Sequence, residues 1–144
     1  MNDDATFQTN MLLVLRGPDG REKARREVHN TTKTAGKEAL ADQILLDANR
    51  TLGKPTHMAI GTSSPAATLL GAEVDRHALT TKTRSGAIIT IVADFAATHG
   101  TGTITEAGLF DAASTGNMWC SANFTGIVKG SGDSLQITWT LTVG

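Results

Sequence analysis

The chain has 144 residues, the length of one domain with room for a sizeable core. Hydrophobic residues make up 40% of it, too many for a disordered chain, and 13 basic against 14 acidic residues leave a formal net charge of −1. That balance excludes long-range electrostatic steering toward nucleic acid or an anionic membrane. The one cysteine, Cys120, excludes an internal disulfide and fits a reducing compartment. No apolar run approaches the roughly 20 residues of a membrane-spanning helix. The acidic start, Met1 to Ala5, lacks the basic-then-apolar order of a signal peptide and reads as an arm.

Phe7 to Arg16 contains the continuous apolar run Met11-Leu-Leu-Val-Leu and ends at Gly17-Pro-Asp-Gly. A short apolar run closed by a turn signal predicts a buried strand. Arg21 to His29 is its expected hairpin partner. Its charges (Arg21, Glu22, Lys23, Arg25, Arg26, Glu27) predict an edge strand, since charge discourages stray pairing. A helix is the rival reading there. Thr34 to Asn49 repeats apolar residues at three- and four-residue steps (Leu40 or Ala41, Ile44, Leu45, Ala48), which predicts one amphipathic helix lying over an open sheet face.

Thr56 to Ile60 predicts a short strand ended by Gly61-Thr-Ser-Ser-Pro, with a small polar loop from Thr62 to Leu70. Glu73 to Thr83 and Ala87 to Ala96 flank Arg84-Ser-Gly, a hairpin signal. Both faces of the second arm carry apolar residues, so it is expected centrally in a sheet. Gly102 to Val143 predicts three strands in an antiparallel meander. The last, from Ser134, alternates cleanly. Leu135, Ile137, Trp139, Leu141 and Val143 fall on one parity, and Gln136, Thr138, Thr140 and Thr142 on the other. The sum is a mainly β chain: an antiparallel β-sandwich, or an α+β domain, of about eight strands with one covering helix. It reads as one domain, with an arm and hairpin over residues 1–30 and a core over 31–144.

Four stations resemble a known family as an ordered set. They are Thr34-Ala-Gly-Lys-Glu-Ala-Leu-Ala, Thr56-His-Met-Ala-Ile-Gly-Thr, Thr68-Leu-Leu-Gly-Ala-Glu-Val-Asp-Arg, and Gly102-Thr-Ile-Thr-Glu-Ala-Gly-Leu-Phe-Asp followed by Gly116-Asn-Met. Their order and spacing resemble the N-terminal domain of bacteriophage tail-collar and tail-fibre proteins, over roughly residues 30 to 143. The departures are Thr34 where that family has Asn, Thr105 where it often has Arg, and the additional hairpin from Phe7 to His29. Fibre proteins continue into a shaft and receptor-binding tip; this chain is expected to act as a stand-alone version without them. The resemblance therefore implies a virion component that docks on other virion proteins and on itself, as a trimer or higher oligomer, assembled in the host bacterial cytoplasm. It does not imply receptor recognition.

Chemistry-bearing residues are sparse. His29, His57, His77 and His99 fall on different elements, and no pair has metal-ligand spacing, so any site would be assembled in three dimensions with Glu106 or Asp111. Cys120 reads as a small buried strand residue with no neighbouring base. Gly100-Thr-Gly-Thr precedes a strand and lacks the lysine of a phosphate-binding loop. Glu106 and Asp111, five apart, fall on opposite strand faces and do not form a glycosidase pair. Trp139 shares its parity with four aliphatics and reads as core, whereas Trp119 is a candidate for an interface or a sugar-stacking surface. The expectation is thus a non-enzymatic structural protein without catalytic residues, cofactor or metal, and without nucleic-acid or membrane partners. The alternatives are a capsid decoration protein or, in another class, a carbohydrate-binding module. The candidate docking residues are Phe7, Met11, Leu13, Leu15, Arg21, Arg25, Arg26 and Trp119.

Overall fold

The computed structural model describes residues 7–32 and 53–143. They form nine strands: β1 (Phe7–Arg16), β2 (Glu22–Thr32), β3 (His57–Gly61), β4 (Glu73–Ala78), β5 (Thr81–Ser85), β6 (Ile88–Phe95), β7 (Gly102–Phe110), β8 (Met118–Lys129) and β9 (Ser134–Val143). Every strand pair is antiparallel, in the order β4-β3-β7-β8-β2-β1-β9-β6-β5. No helix occurs among the described residues, and the helix expected over Thr34 to Asn49 lies outside them.

The order folds into two layers. One sheet holds β5, β6, β9, β1 and β2; the other holds β8, β7, β3 and β4. The chain crosses between layers at both edges. β2 runs beside β1 along most of its length and then pairs with β8 through Thr31 and Thr32. At the opposite edge, Leu79 donates its N–H to the Thr56 carbonyl of one layer, and Thr80 donates to Val92 of the other. Strands that change sheets at the corners close a sandwich toward a flattened barrel.

The alternating patterns set the inward faces. On β9, Leu135, Ile137, Trp139 and Leu141 are all buried, and the threonines face out. On β6, Ile91, Ala93 and Phe95 are buried, with Val92 half-buried on the other face, and the strand lies between β9 and β5. From the second layer Met58, Ile60, Ile104, Ala107, Leu109, Phe124 and Ile127 meet them. The β5–β6 hairpin turns through Gly86 at φ +57°, where a left-handed backbone favours glycine.

Three expectations are corrected. The hairpin β1–β2 is no appendage: β1 lies between β2 and β9, and Met11, Leu13 and Leu15 are core residues. The meander stops after two strands, because β9 leaves β8 and pairs with β1 and β6 in the other layer. β2 is a corner strand rather than a plain edge. Its charges still serve a solvated side, and Arg26 donates to the Thr125 and Gly126 carbonyls where β2 and β8 diverge.

Candidate functional site

Part of the described motif residues, Ala59, Leu70, Gly108 and Phe110 with Glu73, Arg76 and Glu106, lies on the outer face of the second layer, while Met58, Ile60, Ile104, Ala107 and Leu109 face the main core. There Ala59, Leu70, Phe110 and Met118 form a small apolar cluster, separate from the main core. Gly108 makes room for it, since a Cβ there would stand 2.8 Å from the Phe110 ring and 3.0 Å from the Met118 sulfur. The loop between β3 and β4 folds down on this cluster and brings Leu70 with it.

Glu106, on β7, is fully buried and holds that loop. Its Oε1 accepts N–H bonds from Ala72 (2.7 Å) and Ser63 (3.2 Å), and its Oε2 accepts one from Gly71 (2.8 Å). Thr105 adds a hydroxyl bond to the Ser63 carbonyl at 2.7 Å. Three aligned N–H dipoles replace the water a carboxylate would lose on burial. The neighbouring Gly61 is required by contact, because a Cβ there would strike the Glu106 carboxylate and the Ala72 carbonyl.

Arg76, on β4, lies flat on the Phe110 ring at 3.7 Å from its centroid. Its guanidinium forms a two-bond fork with Glu73, at 2.9 and 2.7 Å, and donates to the carbonyls of Ala112 and Thr115. The last contact steadies a turn in which Thr115 takes φ +52° and Gly116 takes +74°. Asp111 closes the same turn. It accepts from the backbone and side-chain N–H groups of Asn117 and from the Gly53 N–H. Burial alone would raise the Asp111 carboxyl, but the Asn117 and Gly53 bonds outweigh it and hold the group below the ordinary aspartate range. Glu106, Glu73 with Arg76, and Asp111 thus pin the 62–72 loop, the 111–117 turn and Gly53 to one face.

The candidate docking residues divide. Met11, Leu13 and Leu15 are 2%, 0% and 2% exposed, so no partner reaches them in the folded chain. Phe7 is paired by its backbone with Val143. Trp119 is buried, and its indole N–H donates to the Gly53 carbonyl at 3.0 Å, so it offers no open platform for a sugar ring. The physical reason is common to Met11, Leu13, Leu15 and Trp119: they sit on strands with neighbours on both sides and turn their side chains into the main core. Arg21 and Arg25 remain exposed. Arg25 forks onto Glu22 at 3.0 and 2.7 Å; this bond keeps its guanidinium firmly protonated and lowers the Glu22 carboxyl. Arg21 lies 3.8 Å from Asp19, and Arg26 is used across the corner. The basic cluster is therefore matched within the chain and presents no free positive stripe. Beside it, Asn10, Leu12, Glu27, His29, Thr138 and Thr140 line a groove of about 290 Å³ on the outer side of β9, β1 and β2.

Sequence reasoning missed two features. Lys129, at the end of β8, is 1% exposed and donates to the Ala96 and Asp133 carbonyls. Burial lowers its ammonium, against the pull of Asp133 and Asp75. Asp133 in turn binds Lys23 at 2.9 Å with both oxygens and is held low chiefly by that bond and by the Gly130 N–H. The second is a grouping of Asp75, His77 and His99 at the same end of the sandwich, the one set among the described residues able to hold a metal ion. Glu106 and Asp111, the carboxylates expected to join any histidine site, are committed to loops elsewhere. Neither feature has a periodic signal, because the contributing residues come from separate strands and loops. Cys120 is fully buried in the main core, as its strand position predicts. Comparison with family models, curated proteins and solved structures finds no match to this chain.

Proposed function

We propose that this chain is a non-enzymatic bacteriophage virion structural protein of the tail, neck, collar or fibre type. It works by self-association and by docking on other virion proteins. The observation that carries the reading is the fate of its polar motif residues. Glu106, Glu73, Arg76 and Asp111 spend their hydrogen bonds on the protein's own loops. A fully buried carboxylate that accepts three backbone N–H groups is turned to its own loop and not to a substrate, whereas loops fixed to a rigid sheet make a reproducible contact surface. The motif resemblance supplies the virion context, and the closed two-layer fold is compatible with it.

Docking then falls to the 62–72 loop, the 111–117 turn and the exposed outer side of the β1–β2 hairpin with Arg21 and Arg25. Symmetry repeats each contact, so a modest patch per chain suffices for a ring. Light scattering on the purified full chain is expected to give a trimer or higher oligomer. Gold-labelled antibody on phage particles is expected to mark a tail or neck position in few copies. Hundreds of copies over the head would assign capsid decoration instead. A strictly monomeric chain that labels no particle would remove the proposal.

A further inference from the structure

We propose that Asp75, His77 and His99 form a binding site for a divalent transition-metal ion of the zinc type, which clamps the β6–β7 loop onto β4. Asp75 and His77 are two apart on β4 and so project from the same side of the strand. His99 reaches them from the loop that follows β6. One oxygen of Asp75 is already engaged, with Oδ1 accepting the Arg76 N–H at 2.9 Å. The other, Oδ2, stands 3.1 Å from His77 Nε2 and 3.3 Å from His99 Nδ1. All three donor atoms lie within 4.8 Å of one another. Zinc with ligands at about 2.0–2.1 Å in tetrahedral array has ligand–ligand edges of roughly 3.3–3.4 Å, so the carboxylate-to-imidazole separations need little adjustment.

The surroundings fix these donors. The His77 ring stands edge-on to Phe95, with centroids 5.5 Å apart, and edge-on to His99 at 4.5 Å. The loop is shaped to deliver His99: Thr98 takes φ +72° and donates its N–H to the Ser131 carbonyl, and Gly100 takes φ +65°. A Cβ at Gly100 would crowd Ile60 and stand 3.3 Å from the Asp75 Cβ, so glycine lets the loop come this close to β4. The nearby cations are engaged elsewhere, Lys129 with the Ala96 and Asp133 carbonyls and the Arg76 guanidinium with Glu73, which leaves Asp75 Oδ2 to the two imidazoles. Two imidazoles and one carboxylate suit zinc, cobalt or nickel better than magnesium or calcium, which take oxygen ligands. His99 is half exposed, with its side chain at 49%, so the fourth position opens to water.

The test uses the full chain titrated with Zn2+ alone by calorimetry and with Co2+ alone by visible absorption. One ion per chain is expected, with the intense bands of tetrahedral cobalt and a rise in Tm on adding zinc. Loss of an outer-shell partner typically costs about 10–100-fold in metal affinity, so His99→Ala, which removes a direct ligand, is expected to cost roughly 100-fold or more. Because His99 is on an exposed loop, that variant should keep the metal-free Tm of the parent, which separates ligation from folding; His77→Ala and Asp75→Asn should lose binding too. His57→Ala, outside the cluster, should bind as the parent does. The proposal is overturned if the parent takes up neither ion, or if His99→Ala binds as tightly as the parent.

Discussion

Replacing Glu106 by Gln tests the role of its carboxylate with almost no change of shape. In the parent, Oε1 takes two N–H groups and Oε2 takes one. A carboxamide has a single acceptor oxygen. Placed at the Oε1 position, it keeps Ala72 and Ser63 but points its NH2 at the Gly71 N–H, so a bond becomes a donor-to-donor clash. The opposite flip keeps Gly71 and loses the other two, so the first arrangement should prevail. Hydrogen bonds to charged groups contribute about 1.5–3 kcal/mol each, and loss of one to Gly71 should cost about that much. For a domain of this size each kcal/mol moves Tm by roughly 3–4 °C, so Glu106→Gln should melt about 5–10 °C lower. Glu106→Ala leaves three donors without their acceptor and should cost more, about 3–5 kcal/mol. Urea unfolding gives these differences, and amide hydrogen exchange locates them. In Glu106→Gln the Gly71 amide should exchange faster while that of Ala72 stays protected. Unchanged Tm and unchanged Gly71 protection would show that the loop holds itself, and the reasoning about the clamp would fall.

Other outcomes follow from single contacts. Gly61→Ala should destabilise by about 1–3 kcal/mol, read by urea unfolding, because its Cβ meets the Glu106 carboxylate and the Ala72 carbonyl. Trp139 is fully buried, and its indole N–H has no hydrogen-bond partner among the described residues. Trp139→Phe should therefore cost little, within about 1.5 kcal/mol, since relief of the orphan donor offsets lost packing, while Trp139→Ala should cost about 3–5 kcal/mol. The folded-state carboxyls of Asp111 and Asp133 lie below the ordinary aspartate value of 3.8. Their stabilisation is present above that value and is lost as pH falls from it through the folded values. Thermal melts from pH 6 down to pH 2 should show this loss, and the double variant Asp111→Asn with Asp133→Asn should flatten it.

Strand identity was legible from local pattern because alternation is a local property. The Leu135 to Val143 parity, the Gly17-Pro-Asp-Gly turn, the Ser85-Gly86 turn and the central place of Ile88–Phe95 are all as the residues imply. A strand's partners are another matter. A row of inward aliphatics packs equally well against several neighbours, so nothing in Ser134 to Val143 says that it pairs with Phe7–Arg16 rather than Met118–Lys129. The same freedom misled the reading of Met11, Leu13 and Leu15. Expected as docking residues, they lie in the core, on a strand paired on both sides.

For the candidate sites, sequence by itself determined which side chains could carry chemistry: the four histidines, Cys120, and the carboxylates Glu106 and Asp111. Only the tertiary structure decided their use. It turned Glu106 toward the backbone of a loop 34 to 43 positions away and brought His99 beside Asp75 and His77. The physical reason is that a hydrogen bond or a coordination sphere acts over about 3 Å in space, while pattern in a sequence records only which face of its own strand a residue occupies.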